Sequence, residues 1–135
     1  NSRLDAVQAS ILNEKLKRID LINNKRRSIA KYYFKNLKNK KIYLFRKINN
    51  GSCFHQFVVL VKNRNKFTNY LKQNKIPFGF HYPYSIHKLK AVLGHYTDKN
   101  FKNSIKISSS CVSLPIDPNL SKRKLDYIIN KINLF

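Results

Sequence analysis

The segment Phe57-Val58-Val59-Leu60-Val61 limits most sharply what this chain can fold into. Five consecutive apolar residues, three of them β-branched valines, favour extended backbone. A strand that is apolar on both faces needs cover on both, so it belongs at the centre of a sheet. The strand is expected to run from Cys53 to Lys62, with His55 in its first half as a structural histidine. Its partners must come from elsewhere. Ile42–Arg46 is one candidate, separated from it by an Asn49-Asn50-Gly51 turn. Ser110–Leu114 is another, stopped by Pro115 and Pro118. Ile76–Phe80 is a fourth, shorter one.

The helices follow from a different period. Leu4, Val7 and Ile11, then Leu12, Leu16, Ile19 and Ile22, then Ile29 and Tyr33, recur at steps of three and four from Arg3 to about Leu37. That span is longer than an ordinary globular helix, so a break is expected near Asp20–Asn24, where helix propensity falls. A long helix with a narrow apolar stripe suits a bridge between domains. Residues 1–37 are expected to be an interdomain helix region with an exposed apolar face. The absence of methionine and the opening at Asn1 in a helix start suggest a C-terminal piece of a longer protein. Asn65 is placed to cap a helix with Phe67, Tyr70 and Leu71 on one face. Ile86–Leu93 and Phe101–Ile107 are expected to be short helices. Ser121 is placed to cap the last helix, which carries Leu125, Ile128, Ile129 and Ile132. The resulting fold class is α+β: a long N-terminal helix and three to four mostly antiparallel strands covered by helices.

At 135 residues the chain can bury one modest core. Its 28 Lys+Arg against 6 Asp+Glu, a formal charge of +22, raise a nucleic-acid or anionic partner as a possibility. The cations are spread along every segment without a long run, and lysine, asparagine and isoleucine are all abundant. AT-rich coding produces that bias without selection for charge, so a small basic nucleic-acid-binding module is the alternative rather than the first reading. Cys53 and Cys111 have no metal or redox spacing and are expected to be small buried hydrophobes in strands. No signal-peptide pattern is visible, which points to the cytoplasm, and no apolar run approaches the ~20 residues needed to span a bilayer. Six scattered acids supply neither a glycosidase carboxylate pair nor an oxygen-rich cation site. His81 and His87 lack a third ligand at a recognisable spacing, so no metal is expected.

The least scaffold-like part of the chain is Ile76-Pro-Phe-Gly-Phe-His81-Tyr82-Pro83-Tyr-Ser-Ile-His87. Pro77 and Pro83 bias the backbone before them toward extended conformations and block helix. A short strand ending in a rigid turn should therefore present His81, Tyr82 and His87 at a surface, where function concentrates. His87, at an expected helix start, is read as a structural residue. No complete catalytic constellation lies within the chain, so a half-site completed by other residues fits better.

Several motifs, in order along the whole chain, carry a family resemblance. Asn1-Ser2-Arg3-Leu4-Asp5-Ala6-Val7-Gln8-Ala9-Ser10-Ile11-Leu12 resembles the "N-x-R-L-D-x-x-Q-A-A-x-L" opening of the C-terminal half in the DegT/DnrJ/StrS family of pyridoxal-phosphate-dependent sugar aminotransferases. Arg26-Arg27-x-Ile29-Ala30-x-x-Tyr33 resembles the helix that follows. His55-Gln56-Phe57-Val58-Val59 is similar to the family's "H-x-[FY]-V-V/I" strand. His81-Tyr82-Pro83 and His87 resemble "I-H-Y-P-x-P-L-H", with Ser85 in place of the second proline. Ser113-Leu114-Pro115-Ile116-x-Pro118-x-Leu120-Ser121 resembles "L-S-L-P-x-x-P-x-L-S".

The resemblance implies that residues 1–135 are the small C-terminal domain of a fold-type-I transferase. Its large N-terminal domain, with the Schiff-base lysine, would lie outside this chain. It implies a homodimer that moves an amino group, usually from glutamate, to a keto-sugar nucleotide in amino-sugar and cell-surface polysaccharide (lipopolysaccharide) biosynthesis. It also implies cofactor-phosphate contacts by Asn1 and Arg3, and sugar-nucleotide contacts by His81 and Tyr82. Amide donors, an arginine fork and a helix N-terminus suit a phosphate. Relatives that replace the lysine with histidine are dehydratases, which leaves a sugar dehydratase as a further alternative.

Overall fold

Three antiparallel strands carry the fold, in a computed structural model that describes residues 3–45 and 51–135. They are β1 Ile42–Leu44, β2 Phe57–Val61 and β3 Cys111–Leu114, in the spatial order β1-β2-β3. The all-apolar strand β2 is therefore central. In register, Ile42 faces Val61 and Leu44 faces Val59, while Phe57 faces Leu114 and Val59 faces Val112. Those residues share one fully buried face. On the other face Val58 and Leu60 of β2 are only half-buried, and Tyr43 of β1 is exposed. Cover on that second face is thus thinner than the apolar sequence of β2 suggests.

The helices are α1 Ala6–Leu16, α2 Ile19–Asn36, α3 Arg64–Gln73, α4 Lys102–Ser110 and α5 Lys122–Leu134. Ile29, Ala30 and Tyr33 of α2, Phe67 and Leu71 of α3, and four α5 residues join the buried sheet face in one core. Tyr33 stacks on Phe57 with ring centroids 4.7 Å apart, and Phe34 meets Phe57 edge-on at 5.1 Å. Such pairs add to the area their rings bury. The Tyr33 hydroxyl donates to the carbonyl of Pro115 at 2.9 Å, and burial pushes its pKa well above the ordinary phenol value. The Tyr32 hydroxyl donates to Asp126 Oδ1 at 2.6 Å, tying α2 to α5, and that bond raises the Tyr32 pKa.

Several boundaries differ from the sequence reading. The helical break falls at Lys17–Arg18 rather than Asp20–Asn24. The Arg18 amide bonds to Lys15, tightening the last turn of α1, and Arg18 leaves helical geometry at φ −115°. Through Asn24 the helix continues, held by Arg27 and Ser28, which bond back to its side chain and carbonyl. The cap of α3 is Asn63, not Asn65, because its Oδ1 is the one that reaches the Lys66 amide, at 3.0 Å. Cys53 is exposed rather than buried, whereas Cys111 is buried in β3 as expected. His55 is exposed and precedes β2. The expected strand Ile76–Phe80 reduces to one bridge between Gly79 and Ser113. Pro77 has no N–H to contribute to a longer ladder. Ile86–Leu93 becomes two single 3₁₀ turns, Ile86–Lys88 and Lys90–Val92, and a third, Asp98–Phe101, leads into α4. Asn49 and Asn50 of the expected turn, like Asn1, lie outside the described residues.

Candidate functional site

The bridge between Gly79 and Ser113 brings the proline-bounded stretch against the sheet. The Gly79 amide donates to the Ser113 carbonyl at 3.1 Å, and the Ser113 amide donates to the Gly79 carbonyl at 2.8 Å. Two residues beyond the bridge, His81 Nδ1 lies 2.8 Å from Ser113 Oγ. The ring also lies close over Gly79: a Cβ there would stand 2.9 Å from His81 Cε1, nearer than such atoms approach. A side chain at that position would therefore displace the His81 ring from where it lies.

His81 borders an open groove of about 310 Å³. His55 and Gln56, which lead into β2, form one side, with Phe78 and Gly79 and then Ser113 and Ile116 completing it. Its lining is mainly apolar with a few convergent polar groups, the usual make-up of a small-molecule site. The fold thus joins two histidines that lie 26 positions apart in sequence, 81 minus 55. Tyr82 does not line the groove. Its side chain is 72% exposed, edge-on to the His81 ring at 5.8 Å, and the peptide bond joining the two residues is cis.

His87 takes no part. It is buried, stacked on Phe101 at 4.6 Å, with Nε2 3.2 Å from Asp98 Oδ1. Lys88 Nζ donates to the other Asp98 oxygen at 2.8 Å. The Lys88 ammonium, and secondarily His87, hold the Asp98 carboxyl below its ordinary range. This cluster fastens the 85–101 segment and explains His87 structurally.

Arg3 is exposed at the start of α1 and has no hydrogen-bond or ion-pair partner among the described residues. Asp5 instead caps α1 by accepting from the Val7 amide at 2.9 Å. Neither Arg3 nor Tyr82 shares the groove with His81. A larger cleft of about 690 Å³ is lined by Lys41, Lys62, Arg64 and Lys66. Two of its cations are already engaged: Arg64 donates to the Ser108 carbonyl and lies over the Phe80 ring, and Lys41 donates to the Phe135 carbonyl. No group of three or more His, Cys, Asp or Glu side chains among the described residues could hold a metal ion. No helix among the described residues is long and apolar enough to cross a membrane.

Sequence reasoning passed over Ser113 and Gly79 as site residues. The available signal for Ser113 was a hydroxyl in an otherwise apolar strand, since buried polar groups need partners. For Gly79 it was one of only three glycines, two residues before a candidate histidine.

Over its whole length the chain is 39% identical to the dTDP-3-amino-3,6-dideoxy-alpha-D-galactopyranose transaminase of Aneurinibacillus thermoaerophilus, covering 37% of that protein. The structure superimposes on DesV of S. venezuelae, solved in complex with a ketimine intermediate, with a TM-score of 0.94 and 26% identity. That likeness covers 99% of this chain and 37% of DesV. A DegT/DnrJ/EryC1/StrS aminotransferase from Brucella abortus matches with a TM-score of 0.88 and 31% identity, over 100% of this chain and 36% of that one. The chain therefore spans little more than a third of the length of these relatives. Residues 1–133 match the DegT/DnrJ/EryC1/StrS aminotransferase family, and the chain belongs to that family.

Proposed function

We propose that residues 1–135 form the C-terminal domain of a pyridoxal-phosphate-dependent aminotransferase acting on a keto-sugar nucleotide. The amino donor is glutamate, and the product serves amino-sugar and cell-surface polysaccharide biosynthesis. In this reading residues 1–37 link to a large N-terminal domain that carries the Schiff-base lysine, and the enzyme works in the cytoplasm as a homodimer. The observation that carries it is His81, anchored to the sheet through Ser113 at the rim of an open groove, in a chain whose residues 1–133 match a transaminase family. We read that groove as one wall of a site completed by residues outside this chain.

The roles follow from donor chemistry. Asn1 and Arg3 contact the cofactor phosphate. The unpaired Arg3 guanidinium has the forked geometry that suits phosphate oxygens, and the start of α1 adds free backbone N–H groups. Pyridoxal phosphate, when bound, supplies the electron sink for amino transfer. His81 and Tyr82 bind the sugar nucleotide, one through a ring nitrogen and the other through an exposed ring and hydroxyl. The nucleic-acid alternative has weaker support. Of the two aromatics on the described strands, Phe57 is buried beneath Tyr33 and Phe34, and exposed Tyr43 stands edge-on to exposed Phe45, so stacking rings are confined to one end of the sheet.

The test is transamination of dTDP- and UDP-keto sugars with glutamate by the full-length polypeptide that carries this chain. His81→Ala is expected to lower kcat/KM at least about tenfold, the loss of one hydrogen bond to a charged or strongly polar group. The 135-residue chain alone is expected to give no turnover. Turnover by the short chain would overturn the half-site reading. A lysine-free upstream sequence, with histidine in its place, would favour the dehydratase.

A further inference from the structure

We infer that the Ser113 hydroxyl donates its hydrogen to His81 Nδ1 and so fixes the neutral ring as the Nε2–H tautomer. Ser113 is then a positioning residue, and His81 meets its ligand as a hydrogen-bond donor. The ligand atom is an acceptor oxygen (carbonyl, hydroxyl or phosphate). Its identity as an oxygen of a sugar nucleotide rests on the function proposed above, whereas the tautomer does not.

The inference comes from following every polar atom of Ser113. The residue is only 6% exposed. Its amide donates to the Gly79 carbonyl and its carbonyl accepts from the Gly79 amide, so its backbone is fully committed. Among the described residues its Oγ has one hydrogen-bonding neighbour, His81 Nδ1 at 2.8 Å. A hydroxyl carries one hydrogen, and a buried hydrogen without an acceptor is costly. If Nδ1 carried the proton, it would donate to Oγ, and the hydroxyl hydrogen would have no acceptor in the protein. If Oγ donates to an unprotonated Nδ1, both groups are satisfied. The proton then sits on Nε2, which makes no hydrogen bond among the described residues.

Two further contacts fix where that donor stands. The missing Cβ of Gly79 lets the ring lie flat against the chain, since a Cβ would come within 2.9 Å of Cε1 and 3.8 Å of Nε2. One turn of the pleat away, Cys111 Sγ lies 3.5 Å from the Tyr82 carbonyl. Cys111 and Ser113 alternate with Val112 along β3 and so point to the same side of the sheet. There the two side chains hold two consecutive residues, Tyr82 and His81. A sequence signature as plain as a polar residue at every second position of a buried strand thus becomes a mount for the histidine.

The experiment is nitrogen NMR on the full-length protein labelled with ¹⁵N-histidine, at mildly alkaline pH, with His81 assigned by His81→Asn. His81 is expected to show an unprotonated Nδ1 and a protonated Nε2. Ser113→Ala should collapse that difference toward a tautomer mixture, whereas Ser113→Thr, which keeps the hydroxyl, should preserve it. A protonated Nδ1 in the neutral wild-type ring, or an unchanged pattern in Ser113→Ala, would overturn the inference. With a substrate in hand, Ser113→Ala is expected to lower kcat/KM about threefold to tenfold, mainly through KM, and Ser113→Thr to restore it. Unchanged kinetics in Ser113→Ala would overturn the positioning role. If the wild-type protein aminates no sugar nucleotide, the proposed function fails while the tautomer result still stands.

Discussion

Helices α1 and α5 are both rich in apolar residues at helical spacing, gathered in one stripe on α5 and spread more widely round α1, and they meet opposite fates. Each has apolar residues at steps of three and four, and each begins at a side-chain cap, Asp5 for α1 and Ser121 for α5. In α5 the four stripe residues Leu125, Ile128, Ile129 and Ile132 are all buried. In α1 nothing is buried, and Val7, Ile11, Leu12 and Leu16 are each more than half exposed. Helix α5 is also tied to its neighbours by polar bonds. Asn133 donates to the Asn36 carbonyl, Asn39 donates to the Ile132 carbonyl, and Tyr127 and Tyr70 bond between α5 and α3 or its cap. Among the described residues, helix α1 has only bonds within itself and its caps. A helical period therefore says that a face is meant to be covered. It does not say that the cover lies within the same 135 residues.

The largest effect should come from emptying the covered stripe. Ile132 is completely buried between α2, α3 and the sheet. Ile132→Ala is expected to cost about 2–5 kcal/mol, the transfer of the lost methyls plus the cavity they leave. Equilibrium urea unfolding followed by far-ultraviolet circular dichroism measures it. A cost below about 1 kcal/mol would mean that α5 is held by its polar ties rather than its stripe, and the contrast with α1 would rest on the wrong interaction.

The two caps give a finer contrast. Ser121 Oγ accepts from the Lys124 amide at 3.4 Å, and Asp5 Oδ1 accepts from the Val7 amide at 2.9 Å. By distance alone the Asp5 cap is the better bond. Even so, Ser121→Ala is expected to lower global stability by about 1 kcal/mol, because α5 folds with the core. Asp5→Ala is expected to leave the global unfolding midpoint in place and only speed hydrogen exchange along α1. An equal fall in both midpoints would show α1 to be part of the same cooperative unit.

What could be read from residues alone follows the same division. Phe57–Val61 was legible as an unbroken apolar run and the α5 stripe by its period, because burial selects apolar residues and that selection is visible without neighbours. The end of α1 was not, because Arg18 leaves the helix through backbone bonding to Lys15 without a side chain to announce it. Asn63 and Asn65 both had the chemistry to cap α3, and only the geometry of the turn chose between them. The site divides likewise. His81 stood out by its place between two prolines, yet its orientation depends on Ser113, 32 residues later, and on the room left at Gly79. Contacts made across the sheet leave no local period. His87 had as much polar character as His81, and only its burial beside Asp98 and Phe101 marks it as structural.

The smallest expected effect is the most informative about α1. Leu12 is 52% exposed in the middle of the helix. In the 135-residue chain Leu12→Ser should change stability by no more than about 0.5 kcal/mol, the usual range for a surface site. In the full-length polypeptide the same change should cost more, on the order of 1–3 kcal/mol, if another domain covers that face. The difference between the two costs is the quantity of interest, because helix propensity and solvation of the serine are common to both measurements and cancel. A difference near zero with both costs small would leave the stripe bare in the longer protein, and the interdomain role of residues 1–37 would fall. A large cost already present in the short chain would place the cover for α1 inside these 135 residues, against the exposure its leucines show.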